Sequence, residues 1–251
     1  MINSDKHSQI RFAVVVPMFN EEQGTEECIR KIIQILSSLP NDPVLIAVND
    51  ASKDETGHIL SSLKDTMPGL CVIHHEKNIG YGAALITGAR EAHRLGYEYV
   101  LFMDSDLTNP PEHIPRFVEK MEEGFDLIKG CRYCSGGEVR GVLYYRYIIS
   151  RIGNLIAQVF FGLGLADCTN GFRAVKTKRF LDMPLRERGF PVIMEELYWA
   201  KKLGLSCASV PTTLYNRTET QRPTSFAYTP SVFWSYLKYP LYSLIFSGAT
   251  K

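Results

Sequence analysis

The sequence has no long apolar run, no strong charge of either sign and no internal repeat, and each absence narrows what the chain can be. No stretch reaches the roughly 18 or more consecutive apolar residues that a membrane span needs. The longest candidate, Ile152 to Ala166, is interrupted by Asn154 and Gln158. The chain is polar as far as Arg11 and lacks a signal-peptide core. Together these features predict a cytoplasmic protein, soluble or peripheral to a membrane. The formal net charge is +1, so nothing in the overall balance argues for nucleic acid as a partner, and any basic surface is local. The six cysteines are scattered without the framework of a small disulfide-rich domain, which predicts reduced thiols. Cys131 and Cys134 form a C-x-x-C, but no second pair or neighbouring His completes a zinc site.

What is present is an ordinary globular composition, 45% hydrophobic and 22% charged over 251 residues. That is enough for one large α/β domain. No linker rich in Pro, Gly and Ser divides it, so residues 1–230 are taken as a single domain and 231–251 as an aromatic tail.

The stretch Tyr97-Glu-Tyr-Val-Leu-Phe-Met-Asp-Ser-Asp-Leu-Thr-Asn-Pro-Pro111 organises the rest. An apolar run, Val100 to Met103, reads as a buried strand, and it ends on Asp104 and Asp106 before Asn-Pro-Pro stops it. In an open α/β sheet, ligands bind at the carboxyl ends of strands. Alternation along an extended chain would put both carboxylates on one side, where they could share a divalent cation that stabilises a departing pyrophosphate. The alternative is that Asp-Ser-Asp merely caps the following helix.

Three earlier strands end in the same way. Phe12 to Val16 is β-branched and apolar, Pro17 is expected to end it, and Asn20, Glu21 and Glu22 open a helix that carries Cys28, Ile32, Ile33 and Leu36 on one face. Val44 to Val48 leads to Asn49 and Asp50 and then a helix from about Glu55. Cys71 to His74 leads to Asn78-Ile-Gly-Tyr-Gly-Ala-Ala and a helix over Ala83 to Leu95. Strand alternating with helix four times predicts a parallel sheet with helices on both faces. The strand ends offer what a nucleotide needs: Asn49 and Asp50 for a base, Asn20 and Glu21 for a ribose, the main chain at Pro17 against the base, and Lys77 with Gly80 near phosphate. The glycine-rich turn is neither G-x-G-x-x-G nor a Walker loop, which speaks against a dinucleotide dehydrogenase or a P-loop NTPase. Taken singly, it is as well explained by a tight turn into a helix.

The motifs Val14-Val-Val-Pro-Met-Phe-Asn-Glu-Glu, Val48-Asn-Asp-Ala-Ser-Lys-Asp, Asn78-Ile-Gly-Tyr-Gly-Ala-Ala and Met103-Asp-Ser-Asp-Leu-Thr-Asn-Pro-Pro-Glu, in this order, resemble the nucleotide-sugar motifs of family-2 glycosyltransferases with the GT-A fold. Lys129-Gly-Cys-Arg-Tyr and Asp167-Cys-Thr-Asn-Gly-Phe-Arg-Ala are similar to signatures of the dolichol-phosphate mannosyltransferase and polyprenyl-phosphate branch. The likeness runs from about Arg11 to Tyr215. It implies that Pro17, Glu21 and Asp50 hold the nucleoside, that Asp104 and Asp106 hold Mg²⁺ or Mn²⁺ on the diphosphate, and that Arg132 and Arg173 stand near the donor or acceptor phosphate. The chain departs from the family in having Asn49-Asp50 where Asp-Asp is usual, and Thr108 where Gln is common. The basic element that often follows the core corresponds to Asn216 to Ser225, with Arg217 and Arg222.

Chemistry separates the acceptors. An alcohol needs a general base, whereas a lipid phosphate is already anionic and needs only positioning. Arg132, Arg146, Arg151, Arg173, Arg217 and Arg222 supply guanidinium forks suited to phosphate, and Arg132, Arg146, Arg217 and Arg222 are taken as the acceptor set. Glu195 and Glu196 would be the base for a hydroxyl acceptor; otherwise one orients active-site groups and the other faces solvent. From Val142 to Leu165, tyrosines and arginines beside greasy residues fit a helix lying in a lipid interface, or, from Ile156 onward, a core helix. The tail from Phe233 to Phe246 has the same character and suits a membrane or a neighbouring subunit. The expected function is inverting, metal-dependent transfer of a hexose, mannose or glucose, from a GDP- or UDP-sugar to a polyprenyl (dolichyl-type) phosphate at the cytosolic membrane face, as a monomer or an oligomer. Transfer to a sugar or lipid hydroxyl is the alternative. A nucleotidyltransferase is disfavoured because Pro17-Met-Phe-Asn-Glu-Glu stands where such enzymes place a glycine-rich, basic loop. A non-catalytic binding module is disfavoured by the intact Asp104 and Asp106.

Overall fold

The computed structural model describes residues 10–40, 42–216 and 229–245. Its first half is built from β1 (Phe12–Met18), β2 (Val44–Asn49), β3 (Leu70–His74) and β4 (Tyr99–Phe102), joined through helices α1 (Thr25–Leu36), α2 (Thr56–Thr66) and α3 (Tyr81–Arg94). The four strands are parallel and lie in the order β3-β2-β1-β4. Strands covered on both faces read as unbroken apolar runs. In β1, alternation sends Ala13 and Val15 to one face, under α3, and Phe12, Val14, Val16 and Met18 to the other, where Cys28, Ile29 and Ile32 of α1 meet them. Each fully buried Val, Ile or Leu contributes about 1.5–3 kcal/mol to holding these layers together.

The second half departs from simple alternation. After a short 3-10 turn and α4 (Ile114–Glu122), β5 (Leu127–Cys131) does not join β4 directly, because β7 (Arg173–Lys176) inserts between them antiparallel to both. With β8 (Cys207–Pro211) the sheet runs β3-β2-β1-β4-β7-β5-β8. β6 (Glu138–Arg140) and β9 (Thr213–Tyr215) form a separate two-stranded ribbon. The remaining helices are α5 (Tyr144–Phe161), α6 (Thr177–Leu181), α7 (Val192–Lys202) and α8 (Pro230–Ile245). Residues 231–245 of the expected tail form most of α8, which packs against α5 and α7 and buries Tyr239.

Two local expectations are corrected. Pro17 does not end β1; it lies inside it, opposite Val48 of β2. Val15 accepts a hydrogen bond from Met103 N, so position 17, two residues on, turns its donor-less nitrogen toward the same β4 side. There β4 has already ended, and no ladder bond is lost. The expectation of six reduced thiols also fails for one pair: Cys131 and Cys134 are joined as a disulfide, while Cys28, Cys71, Cys168 and Cys207 are free.

α5 carries apolar residues on both of its sides. Asn154, Ala157 and Phe161 are buried, while Ile152, Leu155 and Val159 are exposed on the opposite side. No helix among the described residues is long and apolar enough to cross a membrane.

Candidate active site

The polar residues ending β1, β2 and β4 meet at one edge of the sheet, and three of these loops contain a non-glycine residue at positive φ: Asn20 at 55°, Ala51 at 56° and Leu107 at 54°. Such backbone costs roughly 1–2 kcal/mol per residue and is retained where its surroundings over-determine it, often at functional sites. Here the loops hold one another. Asn20 N donates to Ser52 Oγ at 3.0 Å, Lys53 N donates to Asn20 Oδ1 at 2.8 Å, and Ser52 N donates to Asn49 Oδ1 at 3.0 Å. Glu21 N donates to Thr56 Oγ1 at 2.9 Å.

Asp50 is buried and ties the second loop to the third. Its Oδ1 accepts from Ile79 N at 3.0 Å and lies 2.7 Å from His75 Nδ1, and its Oδ2 accepts from Gly80 N at 2.8 Å. The expected base-binding carboxylate is therefore also the anchor of the glycine turn. Gly80, at φ 97°, has no room for a side chain: a Cβ there would stand 2.5 Å from Arg188 O. Lys77 is exposed on the approach to this turn.

Asp104 and Asp106 share a site, though not by strand alternation. β4 ends at Phe102, and the chain turns at 105–106 before the left-handed Leu107. Both carboxylates line a cavity of about 840 Å³. Tyr81 Oη donates to Asp104 Oδ1 at 3.1 Å, and Asp106 Oδ1 accepts from Thr108 N at 3.0 Å and Thr108 Oγ1 at 2.8 Å. Thr108, where the family commonly has Gln, thus fixes the orientation of Asp106. Gly171 keeps the other side of Asp104 clear, since a Cβ there would sit 3.0 Å from Asp104 Oδ2. Among the described residues no cluster of three or more His, Cys, Asp or Glu is arranged to hold a metal. A pair of hard carboxylate oxygens beside an open cavity still fits an ion that takes its remaining ligands from a diphosphate and water.

The same cavity is lined by Arg132 and Arg146, by Ile152 and Ile156 of α5, and by Phe233 and Leu237 of α8. Arg132 grips the buried Asp167 with two nitrogens, Nε to Oδ2 at 2.7 Å and Nη2 to Oδ1 at 2.9 Å, and Nη2 also donates to Thr169 Oγ1 at 2.7 Å. Burial alone would raise the Asp167 carboxyl, but the Arg132 charge and hydrogen bonds outweigh it and hold the group below the ordinary carboxylate range.

Arg173 differs from the expectation that it stands beside a phosphate. It is fully buried beneath the site, donates to both Glu196 oxygens at 2.7–2.8 Å and to Gly171 O at 2.8 Å, and lies over the Phe102 ring. Its charge also faces the Tyr81 phenol that holds Asp104. The insertion of β7 causes this, because Arg173 is paired with Phe102 across the sheet and is covered by α7. Neither glutamate of α7 faces solvent, contrary to the expectation for one of them. Glu196 is occupied by Arg173, and Glu195 accepts from Arg186 N at 3.0 and 2.9 Å and from Glu187 N at 2.8 Å. Arg217 and Arg222 lie outside the described residues.

Residues 13–181 match the sequence profile described as "Glycosyl transferase family 2". The chain belongs to glycosyl transferase family 2. It is similar to a "Dolichol-phosphate mannosyltransferase" of Pyrococcus furiosus, 31% identical over 194 residues, 76% of this chain and 53% of that protein. The chain thus spans about half the length of that relative. An "Undecaprenyl-phosphate mannosyltransferase" of Micrococcus luteus is 30% identical over 83% of this chain and 85% of its own length. Among solved structures, the glucosyl-3-phosphoglycerate synthase of Mycobacterium tuberculosis, crystallised with Mn²⁺, UDP-glucose and phosphoglyceric acid, superposes with a TM-score of 0.64 at 23% identity, covering 94% of this chain and 81% of that one. That likeness establishes the shared α/β fold of this glycosyltransferase.

Three side chains of the transferase's site went unrecognised in the sequence. Tyr81 sat inside a turn motif valued for its glycines. Asp167 was visible in Asp-x-Thr-Asn-Gly-Phe-Arg, yet nothing local says that it clasps Arg132. Asn154, on α5, looked like a polar interruption of a greasy run; it accepts from Cys168 N at 2.6 Å and Thr169 N at 3.1 Å, and so fastens α5 to the loop under Arg132.

Proposed function

We propose that this glycosyltransferase moves a hexose, with inversion, from a GDP- or UDP-sugar to a polyprenyl phosphate. The observation that carries the reading is the lining of the 840 Å³ cavity, which combines two carboxylates and two arginines with apolar side chains of α5 and α8. An anionic head on a long hydrocarbon chain suits such a space, and the two mannosyltransferase relatives are named for polyprenyl phosphate acceptors.

In this reading the loops after β1 and β2, with Pro17, Asn20, Glu21, Asn49 and Asp50, take the nucleoside, and Lys77 and Gly80 lie near its phosphates. Asp104 and Asp106 would hold a divalent cation, Mg²⁺ or Mn²⁺, whose charge stabilises the departing diphosphate. Arg132 and Arg146 would face the acceptor phosphate, Arg132 kept in one orientation by Asp167. Arg173 and Glu196 support Asp104 from below through Tyr81.

Among the described residues, Asp104 and Asp106 are the only acidic side chains on the cavity wall. Glu195 and Glu196, the candidate bases for a hydroxyl acceptor, are buried and engaged. Removing a proton from an alcohol needs a free base within reach, whereas a phosphate needs none. This favours the phosphate acceptor over a hydroxyl. Leu155 and Val159 of α5, with Trp234 and Leu244 of α8, are exposed apolar side chains on the two helices that frame the cavity. They suit a peripheral contact with a lipid surface from which the acceptor would enter.

The test is nucleotide release from GDP-mannose, UDP-glucose and UDP-N-acetylglucosamine with Mn²⁺, with and without a short polyprenyl phosphate. Release that requires both the metal and the lipid phosphate is expected. Release that requires a hydroxyl acceptor instead would overturn the reading.

A further inference from the structure

The contact between α8 and the loop before α7 is not used by the chemistry above. Glu187, in that loop, receives hydrogen bonds on one carboxylate oxygen from Lys238 Nζ and from Tyr239 Oη, the latter at 2.9 Å. Tyr239 is buried and Glu187 and Lys238 are partly buried, and the partners are 51 and 52 residues apart in sequence. An ion pair with a second donor in a partly desolvated place is stronger than a surface pair.

The main chain of the same loop presses on the glycine turn. Gly82 N donates to Arg188 O at 2.7 Å, and a Cβ on Gly82 would stand 2.2 Å from Glu187 O. Phe190 packs on the Tyr81 ring at 4.8 Å between centroids. The turn at 79–82 is therefore clamped on two sides, by Asp50 from the sheet and by residues 187–190 of the loop before α7. Tyr81, at its centre, hydrogen-bonds Asp104.

We infer that Glu187 is a positioning residue for the nucleotide site: α8, which lines the acceptor cavity, holds the glycine turn and Tyr81 in place through the Lys238 and Tyr239 contacts to Glu187. The inference rests on the reading that the turn lies at the donor nucleotide. Glu187 touches no substrate in this arrangement. Glu195 also holds this loop through Arg186 N and Glu187 N, so loss of the clasp loosens the loop without freeing it, and the effect appears in donor affinity because a looser turn must be ordered when the nucleotide binds.

The experiment measures binding of GDP and UDP with Mn²⁺ to the full chain by calorimetry. Wild type comes first. If it binds neither nucleotide, the reading of the nucleotide site is lost and the inference with it. If it binds one, Glu187→Gln and Lys238→Met are each expected to raise Kd roughly three- to ten-fold, the size of one charge-assisted hydrogen bond. The double variant should be no worse than the weaker-binding single, since both act through one clasp. Lys238→Arg, which keeps the charge, should bind within about two-fold of wild type. Unchanged Kd in folded Glu187→Gln and Lys238→Met, or strictly additive losses, would overturn the inference. If these two variants do not fold, Tyr239→Phe removes a single hydroxyl and should still raise Kd about two-fold; an unchanged value there overturns it equally.

Discussion

The loops that end β1, β2 and β4 and the layer beneath the acceptor cavity are held together in different ways. In the loops, most of the stabilising bonds are made by main-chain N–H groups to short polar side chains, as at Asn20, Asn49, Asp50 and Asp106. Asp104 and Asp106 line the cavity, whereas Asp50 is buried and anchors the glycine turn. In the lower layer, long charged side chains pair with one another in the interior, Arg132 with Asp167 and Arg173 with Glu196. There Arg173 is a structural member first and reaches the substrate only through what it orients, whereas Arg132 also lines the cavity. A cavity-lining carboxylate such as Asp106 is expected to be removable without harm to the fold, whereas one half of a buried pair is not.

Asp106→Ala gives the sharpest contrast. Loss of a metal-holding carboxylate at the reacting diphosphate should lower turnover by about 10²–10³-fold or more, while the melting temperature stays close to wild type. Near-normal turnover in a folded variant would remove Asp106 from the metal site and blur the distinction. Arg173→Met attacks the other region. It leaves the Glu196 carboxylate buried without its partner, at a cost of roughly 3–5 kcal/mol in urea unfolding, and Arg173→Met combined with Glu196→Leu should recover much of that stability without recovering turnover. A single variant as stable as wild type would show that the pair is not the structural member proposed.

The smallest expected effect concerns Lys129, which faces Arg173 across the strand pair and donates to Asn170 O at 2.6 Å. Burial, and then the charge of Arg173, push its ammonium from the ordinary 10.5 down to about 8. Between about pH 8 and 10.5 the unfolded chain keeps a proton that the folded one has lost. The folded state therefore gains stability as pH rises through this window, by at most about 1.4 kcal/mol per pH unit. Unfolding of wild type and Lys129→Met across that range should show the slope in the first and a flatter response in the second.

The legibility of the two regions follows the same division. The first three strands and helices were readable because hydrophobic period and turn residues are properties of a few neighbouring positions: Val44 to Asn49, for example, announces a buried strand and its polar end within six residues. Asp104 and Asp106 were singled out for that reason, although a turn and not strand alternation brings both to the cavity wall. Pro17 was misread as a strand end because the early stop of β4 beside it is not visible in the local sequence. Arg173 was expected to meet phosphate because a guanidinium in a loop motif and one in a buried strand look alike until the sheet order is known.

By itself the sequence determined the α/β class, the polar strand ends, the ordered motifs that mark a family-2 glycosyltransferase and the aromatic, cationic and apolar character of Val142 to Leu165. All are encoded over distances that a single helix or strand spans. The tertiary structure alone decided which arginines were buried as structural partners, that both α7 glutamates were occupied, and that α5 and α8 line the same cavity as the carboxylates. The burial of Arg173 depends on β7 running antiparallel between β4 and β5, and the contact of α5 with α8 likewise joins elements far apart in sequence. Only the folded sheet determines which of its faces covers a charge and which leaves it open to a ligand.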